Sequence, residues 1–270
     1  MKTLLFNDTS GYHSGCAKVI EYLTNKYDVI GTVRGNIDRI TYDQLLFDQA
    51  EHIVINGEGT MHSNRRVPLE LLDVLVLAHK QGKKTSLINT VFQEITLSKT
   101  HINALQQTYI STREVMSQRY LKEHSIDSEL HLDCSFFVDV PVEDMPKQNL
   151  VLGVNYANGD IATSFSDYAT VNIFKQEWNH IVNVLRNSRL LITSRHHEMY
   201  AACKARCPFL VIEGNTWKSQ ALFETAGVDI PYVKHTDQLV QAYIDIKTYW
   251  SDYKLEYEKL FDWMEQQPEL

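Results

Sequence analysis

A short cluster of chemically active side chains occurs in the second half of the sequence. Residues 190–193 are apolar until the last position, and Ser194, Arg195, His196 and His197 follow directly. A guanidinium binds phosphate and carboxylate groups through paired hydrogen bonds. An imidazole transfers protons near neutral pH. The cluster therefore predicts an anion-binding site with a proton donor beside it. The residues alone do not decide which of the two histidines acts.

The cluster needs a strand before it and a helix after it. The apolar run predicts a buried strand, and a helical pattern of small residues begins at about residue 199. In open α/β sheets, ligands bind beyond the carboxyl ends of the strands. The amino end of a helix favours anions at the same place. We therefore expect the turn at 194–197 to form one wall of a binding site.

An earlier segment, residues 8–16, also joins a predicted strand to a predicted helix. The strand covers residues 3–6, and apolar residues recur at helical spacing from Ala17 to Leu23. The segment contains glycines but lacks the dinucleotide-binding GxGxxG pattern. His13 has two interpretations, a site residue or a loop histidine that only caps the helix.

A second glycine-containing segment, residues 56–62, follows a predicted strand at 52–55. Gly57 and Gly59 flank Glu58, which would let a ligand lie against the backbone beside a carboxylate. Thr60 comes next. The alternative interpretation is a flexible turn with a solvated glutamate. We favour the functional one because the segment follows an apolar strand directly.

A second cation follows a predicted strand at 109–111. Arg113 lies there before a helical pattern, and it is either a second anion-binding residue or part of a surface salt bridge.

The alternation of strands and helices in two blocks predicts an α/β fold with two Rossmann-like domains around an interdomain cleft. Residues 139–148 are rich in proline and acidic residues and mark the boundary. The predicted domains are residues 1–140 and residues 149–270. The second ends in a long helix from Leu239 onward.

Composition excludes several classes of protein. The chain has 270 residues and a formal net charge of −8, which disfavours a nucleic-acid-binding surface. Its four cysteines lack zinc-finger or disulfide spacing, so a reducing compartment fits best. The early polar residues of the N-terminal segment and the absence of a run of about 20 apolar residues predict neither a secretory signal nor a membrane span in this sequence. We expect a cytoplasmic protein, peripheral to the inner membrane face if its acceptor is lipid-linked.

Several segments, in order, resemble the polysaccharide pyruvyl transferase family. The likeness covers roughly residues 53–230, and no single motif is specific. The matching pieces are Gly57-Glu58-Gly59-Thr60, resembling a GGG[ST] loop; 111–117, resembling xRDxxS; 132–136, resembling DPxF; and Ser194-Arg195-x-His197, with its small-residue helix before 208–212.

This resemblance implies a GT-B-like architecture and a role in surface glycan biosynthesis, such as exopolysaccharide or capsule. The implied reaction transfers a pyruvyl group from phosphoenolpyruvate to a pair of sugar hydroxyls, with no cofactor and no metal. His197 would be the general acid. The acceptor would be a glycan or lipid-linked saccharide, and the oligomeric state is left open. The residues assigned to donor binding are Arg195, Arg113, Ser194, His196, Gly57, Gly59 and Thr60.

Glu58 departs from the family pattern, because it replaces a glycine with a negative charge. The chief alternative is therefore a sialyltransferase-like GT-B enzyme that uses a nucleotide-activated sugar, with Glu58 or His13 as the base. Arg195 and His197 would then hold the donor phosphate. A third interpretation is a carbohydrate- or nucleotide-binding module without activity. A metal hydrolase built on His196, His197 and Glu198 is disfavoured because HExxH spacing is absent.

Overall fold

A computed structural model describes residues 1–35, 39–153, 164–214 and 216–270. The chain forms two compact units. The first comprises Met1–Gly11, Val19–Cys134 and Glu269–Leu270, and the second comprises Tyr12–Lys18 and Ser135–Pro268. The main division after Cys134 lies close to the expected boundary segment. Unlike the predicted domains, the units also exchange two short segments, Tyr12–Lys18 and Glu269–Leu270.

The first unit contains a six-stranded parallel sheet with strand order β2-β1-β3-β4-β5-β6. Leu4, Leu5 and Phe6 of its first strand are buried on both faces of that strand, as expected when helices cover both sides of a parallel sheet. Leu4 and Phe6 join one apolar cluster, whereas Leu5 joins another. The strands are β1 (Lys2–Asp8), β2 (Asp28–Arg34), β3 (His52–Glu58), β4 (Lys84–Thr90), β5 (Tyr109–Thr112) and β6 (Glu129–Leu130).

Residues of the helices pack against the strands in both of these apolar clusters. Val19, Ile20 and Leu23 of the first helix pack in the cluster that contains Leu5. Leu71 and Leu75 of the third helix pack in the cluster that contains Leu4 and Phe6. The helices are α1 (Ser14–Lys26), α2 (Gln44–Gln49), α3 (Arg66–Lys80), α4 (Lys99–Leu105) and α5 (Val115–Glu123), and the first residues of α1 belong to the second unit.

The second unit contains a five-stranded parallel sheet with strand order β11-β10-β9-β7-β8. Its strands are β7 (Val151–Gly153), β8 (Ala169–Val171), β9 (Leu191–Thr193), β10 (Phe209–Ile212) and β11 (Tyr232–Val233). Its helices are α6 (Trp178–Arg186), α7 (His196–Ala205), α8 (Lys218–Ala226), α9 (Leu239–Thr248) and α10 (Trp250–Glu265). The predicted α/β class with parallel sheets is confirmed.

The elements differ from the predicted ones in three respects. The terminal helix is two helices, α9 and α10, separated at Tyr249, whose backbone (φ −107°, ψ 36°) interrupts the helical hydrogen bonding. The short strands β8 and β11 lack a sequence signal. Strands β1, β3 and β4 continue through polar residues that the sequence assigned to loops. In the described part of the chain, no helix combines the length and apolar character that crossing a membrane requires.

Candidate functional site

The turn between β9 and α7 is held by hydrogen bonds from one threonine. Thr193, the last residue of β9, accepts the backbone N–H of Arg195 on its hydroxyl oxygen at 2.9 Å. The same hydroxyl donates to Oε2 of Glu198 at 2.5 Å. Glu198 is in the first turn of α7, where a carboxylate complements the positive end of the helix dipole. Strand end, turn and helix start are thus fixed to one another.

Glu198 fits this position because Gly153 has no side chain. A Cβ at Gly153 would lie 2.2 Å from Oε2 of Glu198 and 2.9 Å from Oγ1 of Thr193. The end of β7 therefore leaves no room for a side chain beside the β9–α7 turn.

Arg195 lies beside exposed aromatic rings. Its guanidinium carbon is 5.1 Å from the ring centroid of Phe174, within cation–π range. Phe174 is 40% exposed, and its ring also makes edge contacts with Tyr12 and His13, each at 5.5 Å between centroids. The structure therefore holds the cation next to an aromatic surface that solvent can reach.

His197 meets His13 within the second unit. The two rings are 4.9 Å apart between centroids and nearly perpendicular. Gly15 makes this approach possible, because a Cβ there would lie 2.6 Å from both Cβ and Cγ of His197. Ser14 fixes the start of α1 in place. Its N–H and its hydroxyl both donate to the carbonyl of Ile173, at 3.0 and 3.1 Å.

His13 also caps α1. Its Nδ1 accepts the backbone N–H of Cys16 at 3.2 Å, and its Nε2 lies 3.3 Å from the Cys16 sulfur. The capping contact expected of His13 is therefore present, and its role as a site residue stays a prediction. His196 turns elsewhere, with its ring 4.7 Å from that of Tyr200, and is buried.

Glu58 ends β3 in the first unit as a buried carboxylate. Thr9 donates its hydroxyl to Oε2 of Glu58 at 2.5 Å, and Nδ2 of Asn56 lies 3.3 Å from the same oxygen. Gly57 is required here, because a Cβ would lie 2.3 Å from Oγ1 of Thr90 on β4. Glu58 is 5% exposed. The interpretation as a flexible turn with a solvated glutamate is therefore wrong.

Three adjacent strands of this sheet have a non-glycine residue with left-handed backbone at the last or next-to-last position. Asn7 after β1's apolar core has φ 61°, Glu58 of β3 has φ 40°, and Asn89 of β4 has φ 57°. Such backbone is costly and concentrates at functional sites. Nδ2 of Asn7 donates to the carbonyl of Asn56 at 2.6 Å and to the Thr60 hydroxyl at 3.0 Å. Gly59 lies in the turn between Glu58 and Thr60.

The sequence interpretation assigned no role to Asn7, Thr9, Asn56 or Asn89. A usable signal was present, because an asparagine follows the apolar residues of β1, β3 and β4 in each case. Asn89 donates its side-chain N–H to Oδ1 of Asn56 at 3.3 Å, which links the ends of β3 and β4.

Arg113 lies in the interior of the first unit. Its guanidinium pairs with the carboxylate of Asp133, and both side chains are almost fully buried. The following Glu114 caps α5 by accepting the N–H of Ser117 at 2.9 Å. The surface salt bridge considered for Arg113 is therefore a buried one. Of the predicted site residues, the second unit brings together Arg195, His197 and His13, whereas Glu58, Gly57 and Thr60 gather separately in the first.

Comparison with known proteins identifies a family. Residues 17–216 match the model of the polysaccharide pyruvyl transferase family. No curated protein sequence matches the chain.

Solved structures share the fold at low sequence identity. A UDP-N-acetylglucosamine 2-epimerase (putative) from Listeria monocytogenes is 11% identical with a TM-score of 0.60, covering 96% of this chain and 90% of that one. UDP-GlcNAc 2-epimerase from Neisseria meningitidis is 11% identical with a TM-score of 0.57, covering 97% and 96%. The spinosyn rhamnosyltransferase SpnG is 11% identical with a TM-score of 0.53, covering 99% and 97%. These likenesses show the GT-B fold.

Proposed function

The chain belongs to the polysaccharide pyruvyl transferase family, and we propose that it transfers a pyruvyl group from phosphoenolpyruvate to two hydroxyls of one sugar. The enzyme class is a transferase. The observation that carries the donor assignment is the β9–α7 turn. Arg195 lies there at the amino end of α7, and His197 lies in the first turn of that helix. A donor with one phosphate and one carboxylate matches that chemistry.

The reaction balances without an oxidant or a cofactor. A proton adds to the methylene carbon of the enol, and the positive charge that develops on the adjacent carbon is captured by a sugar hydroxyl. Inorganic phosphate leaves with its C–O bond electrons, and a second hydroxyl closes the ketal. The two hydroxyl protons balance the proton added to carbon and the one taken up by phosphate.

Residues of the second unit would bind the donor and transfer the proton. Arg195 binds donor oxygens, and its place over the Phe174 ring limits the directions its guanidinium can take. Ser194, half-buried in the same turn, donates a hydrogen bond to the donor. His197 protonates the enol carbon, since an imidazole is the usual general acid near neutral pH. His13 lies against His197 and orients its ring. We leave Arg113 out of these contacts because Asp133 already engages it in the protein interior.

Calorimetric titration with phosphoenolpyruvate tests donor binding without knowledge of the acceptor. We expect saturable binding that Arg195→Ala removes and Arg189→Ala keeps, since Arg189 is an exposed arginine of the same unit. Absence of binding to the wild-type chain, together with binding of a nucleotide sugar, would overturn the proposal.

Phosphate release in the presence of a panel of sugars and lipid-linked saccharides tests the chemistry. We expect His197→Asn to bind phosphoenolpyruvate normally but to release phosphate at least about a hundredfold more slowly, as general acids contribute at least that much. His235→Asn changes an exposed histidine of the same unit and serves as the control. Equal rates for wild type and His197→Asn would remove His197 from the mechanism.

One observation supports a second candidate, a glycosyltransferase that uses a nucleotide-activated sugar. Glu58 is a buried carboxylate on strained backbone at the carboxyl end of β3, held by Thr9 and Asn56. A base that deprotonates an acceptor hydroxyl needs such a fixed position. On this candidate, Glu58→Gln abolishes transfer from a nucleotide sugar while leaving its binding intact. Unchanged turnover in Glu58→Gln would exclude Glu58 as the base.

A further inference from the structure

We propose that His13, Cys16 and His197 bind a zinc ion. The three residues lie within the second unit. Two imidazoles and a thiolate each offer one ligand atom, and these atoms all lie within 4.8 Å of one another. The site would have three protein ligands and one open coordination position. This inference does not rest on the proposed function, and a molecule with zinc on His197 would not use that ring as the general acid, so the zinc-bound and catalytic states are distinct.

The donor set favours zinc over hard cations. Zinc binds imidazole nitrogen and thiolate sulfur at about 2.0 to 2.3 Å, whereas Mg²⁺ and Ca²⁺ prefer oxygen. Tetrahedral bonds of those lengths separate a nitrogen ligand from a sulfur ligand by about 3.5 Å. Nε2 of His13 and Sγ of Cys16 are already 3.3 Å apart. The widest separation in the cluster, 4.8 Å, exceeds the ideal value by about 1.3 Å, so binding requires the ligand atoms to close in by about that distance.

The backbone presents these ligands from two fixed places. His13 and Cys16 are three residues apart at the start of α1, so both face one side of that helical turn. His197 comes from the first turn of α7. Ser14 fixes the α1 start through its two hydrogen bonds to Ile173, and the missing side chain of Gly15 lets His197 reach the pair.

Burial suits a bound ion. Cys16 is 2% exposed and His197 is 5% exposed, so little water competes for them, whereas His13 is only half-buried and leaves a way in. The exposed ring of Tyr12 lies 5.0 Å from that of His13.

Metal binding requires a definite movement of protons. The Cys16 thiol loses its proton to solvent and binds as thiolate. Nδ1 of His13 now accepts the Cys16 N–H, which places the proton of the neutral ring on Nε2. That proton transfers to Nδ1 when Nε2 binds the ion, and the hydrogen bond from the Cys16 N–H is lost. The cost is one helix cap, which is small beside three metal–ligand bonds.

Cobalt titration of the full-length, reduced and chelator-treated chain tests this site. Bound Co²⁺ would give a thiolate-to-cobalt charge-transfer absorption band at one equivalent, and Zn²⁺ would bleach it. We expect Cys16→Ser to abolish the band. Cys207→Ser is the matched control, because that buried thiol lies near the carbonyls of Ser188 and Pro208 and a hydroxyl can replace it.

Two histidine variants make the assignment specific. His13→Gln and His197→Gln should each weaken zinc binding by at least about tenfold in competition with a chromophoric chelator. Circular dichroism checks that each variant is folded. A wild-type chain without a charge-transfer band, or a band that survives in Cys16→Ser, would overturn the proposal. Neither outcome depends on phosphoenolpyruvate binding, which is measured on the metal-free chain.

Discussion

Thr193 links the end of a strand to the start of a helix through one hydroxyl. It accepts the Arg195 N–H at 2.9 Å and donates to the Glu198 carboxylate at 2.5 Å. The position of Arg195 therefore depends on the side chain of a fully buried threonine. A hydroxyl that serves as acceptor and donor at once also explains why a buried carboxylate is tolerated at this point.

Thr193→Val tests this link. Valine has the same shape but removes one donor from the buried carboxylate and the acceptor of the Arg195 N–H. We expect a loss of about 2 kcal/mol in the free energy of unfolding and weaker phosphoenolpyruvate binding. Urea unfolding and calorimetry measure the two effects. Thr193→Ser keeps the hydroxyl and should restore both, and a valine variant with wild-type donor affinity would contradict the link.

Gly15→Ala should displace His197. The added Cβ would lie 2.6 Å from the Cβ and Cγ of His197, so the ring must move away from His13 and Cys16. We expect both the phosphate-release rate and the zinc affinity to fall by at least about tenfold. Gly11→Ala is the control, since its Cβ would meet no atom within 4 Å. Equal behaviour of the two variants would show that His197 tolerates the displacement.

Substitutions in the ion pair between Arg113 and Asp133 test whether Arg113 has a structural role or binds the donor. Arg113→Met leaves a buried carboxylate without its guanidinium, and we expect a loss of about 3 to 5 kcal/mol in unfolding free energy. Adding Asp133→Asn should recover much of that loss. If the double variant is stable yet binds phosphoenolpyruvate poorly, Arg113 contacts the donor after all. Normal binding by the double variant assigns Arg113 to structure.

His52 should make the protein less stable in mild acid. Burial, with smaller contributions from Lys84 and the amino terminus, lowers the pKa of His52 to about 4. Because the unfolded chain binds the proton more readily, the stabilising contribution is complete above about pH 6.5. It is lost as the pH falls from there toward 4. Urea unfolding at several pH values measures the trend.

His52→Gln should flatten that dependence, since it removes the titrating group while keeping a polar partner for the Ser86 hydroxyl, now 2.9 Å from Nε2. His235→Gln, at an exposed histidine, should leave the trend unchanged. An unchanged pH dependence in His52→Gln would contradict the assignment.

Local patterns determined much of the second-unit site. An apolar strand followed at once by Ser194 and Arg195 and then by a helix is a contiguous signal, because all three parts lie within a few residues. The same holds for the alternation of strands and helices, since burial on both faces makes parallel strands apolar throughout. The polar residues at the ends of the strands were harder to assign to strands from the sequence. Asn56 and Glu58 pair with β4 although their side chains favour turns, because neighbouring strands supply hydrogen bonds that the sequence does not display.

Contacts between distant segments were decided only by tertiary structure. The sequence named Arg113 as a cation at a strand end, but Asp133, brought beside it by the fold, takes up its guanidinium. Likewise the sequence pattern does not connect His13 with His197, and only the packing of the α1 start against α7 brings His13 and Cys16 to that ring. Sequence spacing specifies which side chains share a turn or a helix face. It does not specify which segments pack together, because that choice depends on burial summed over the whole unit.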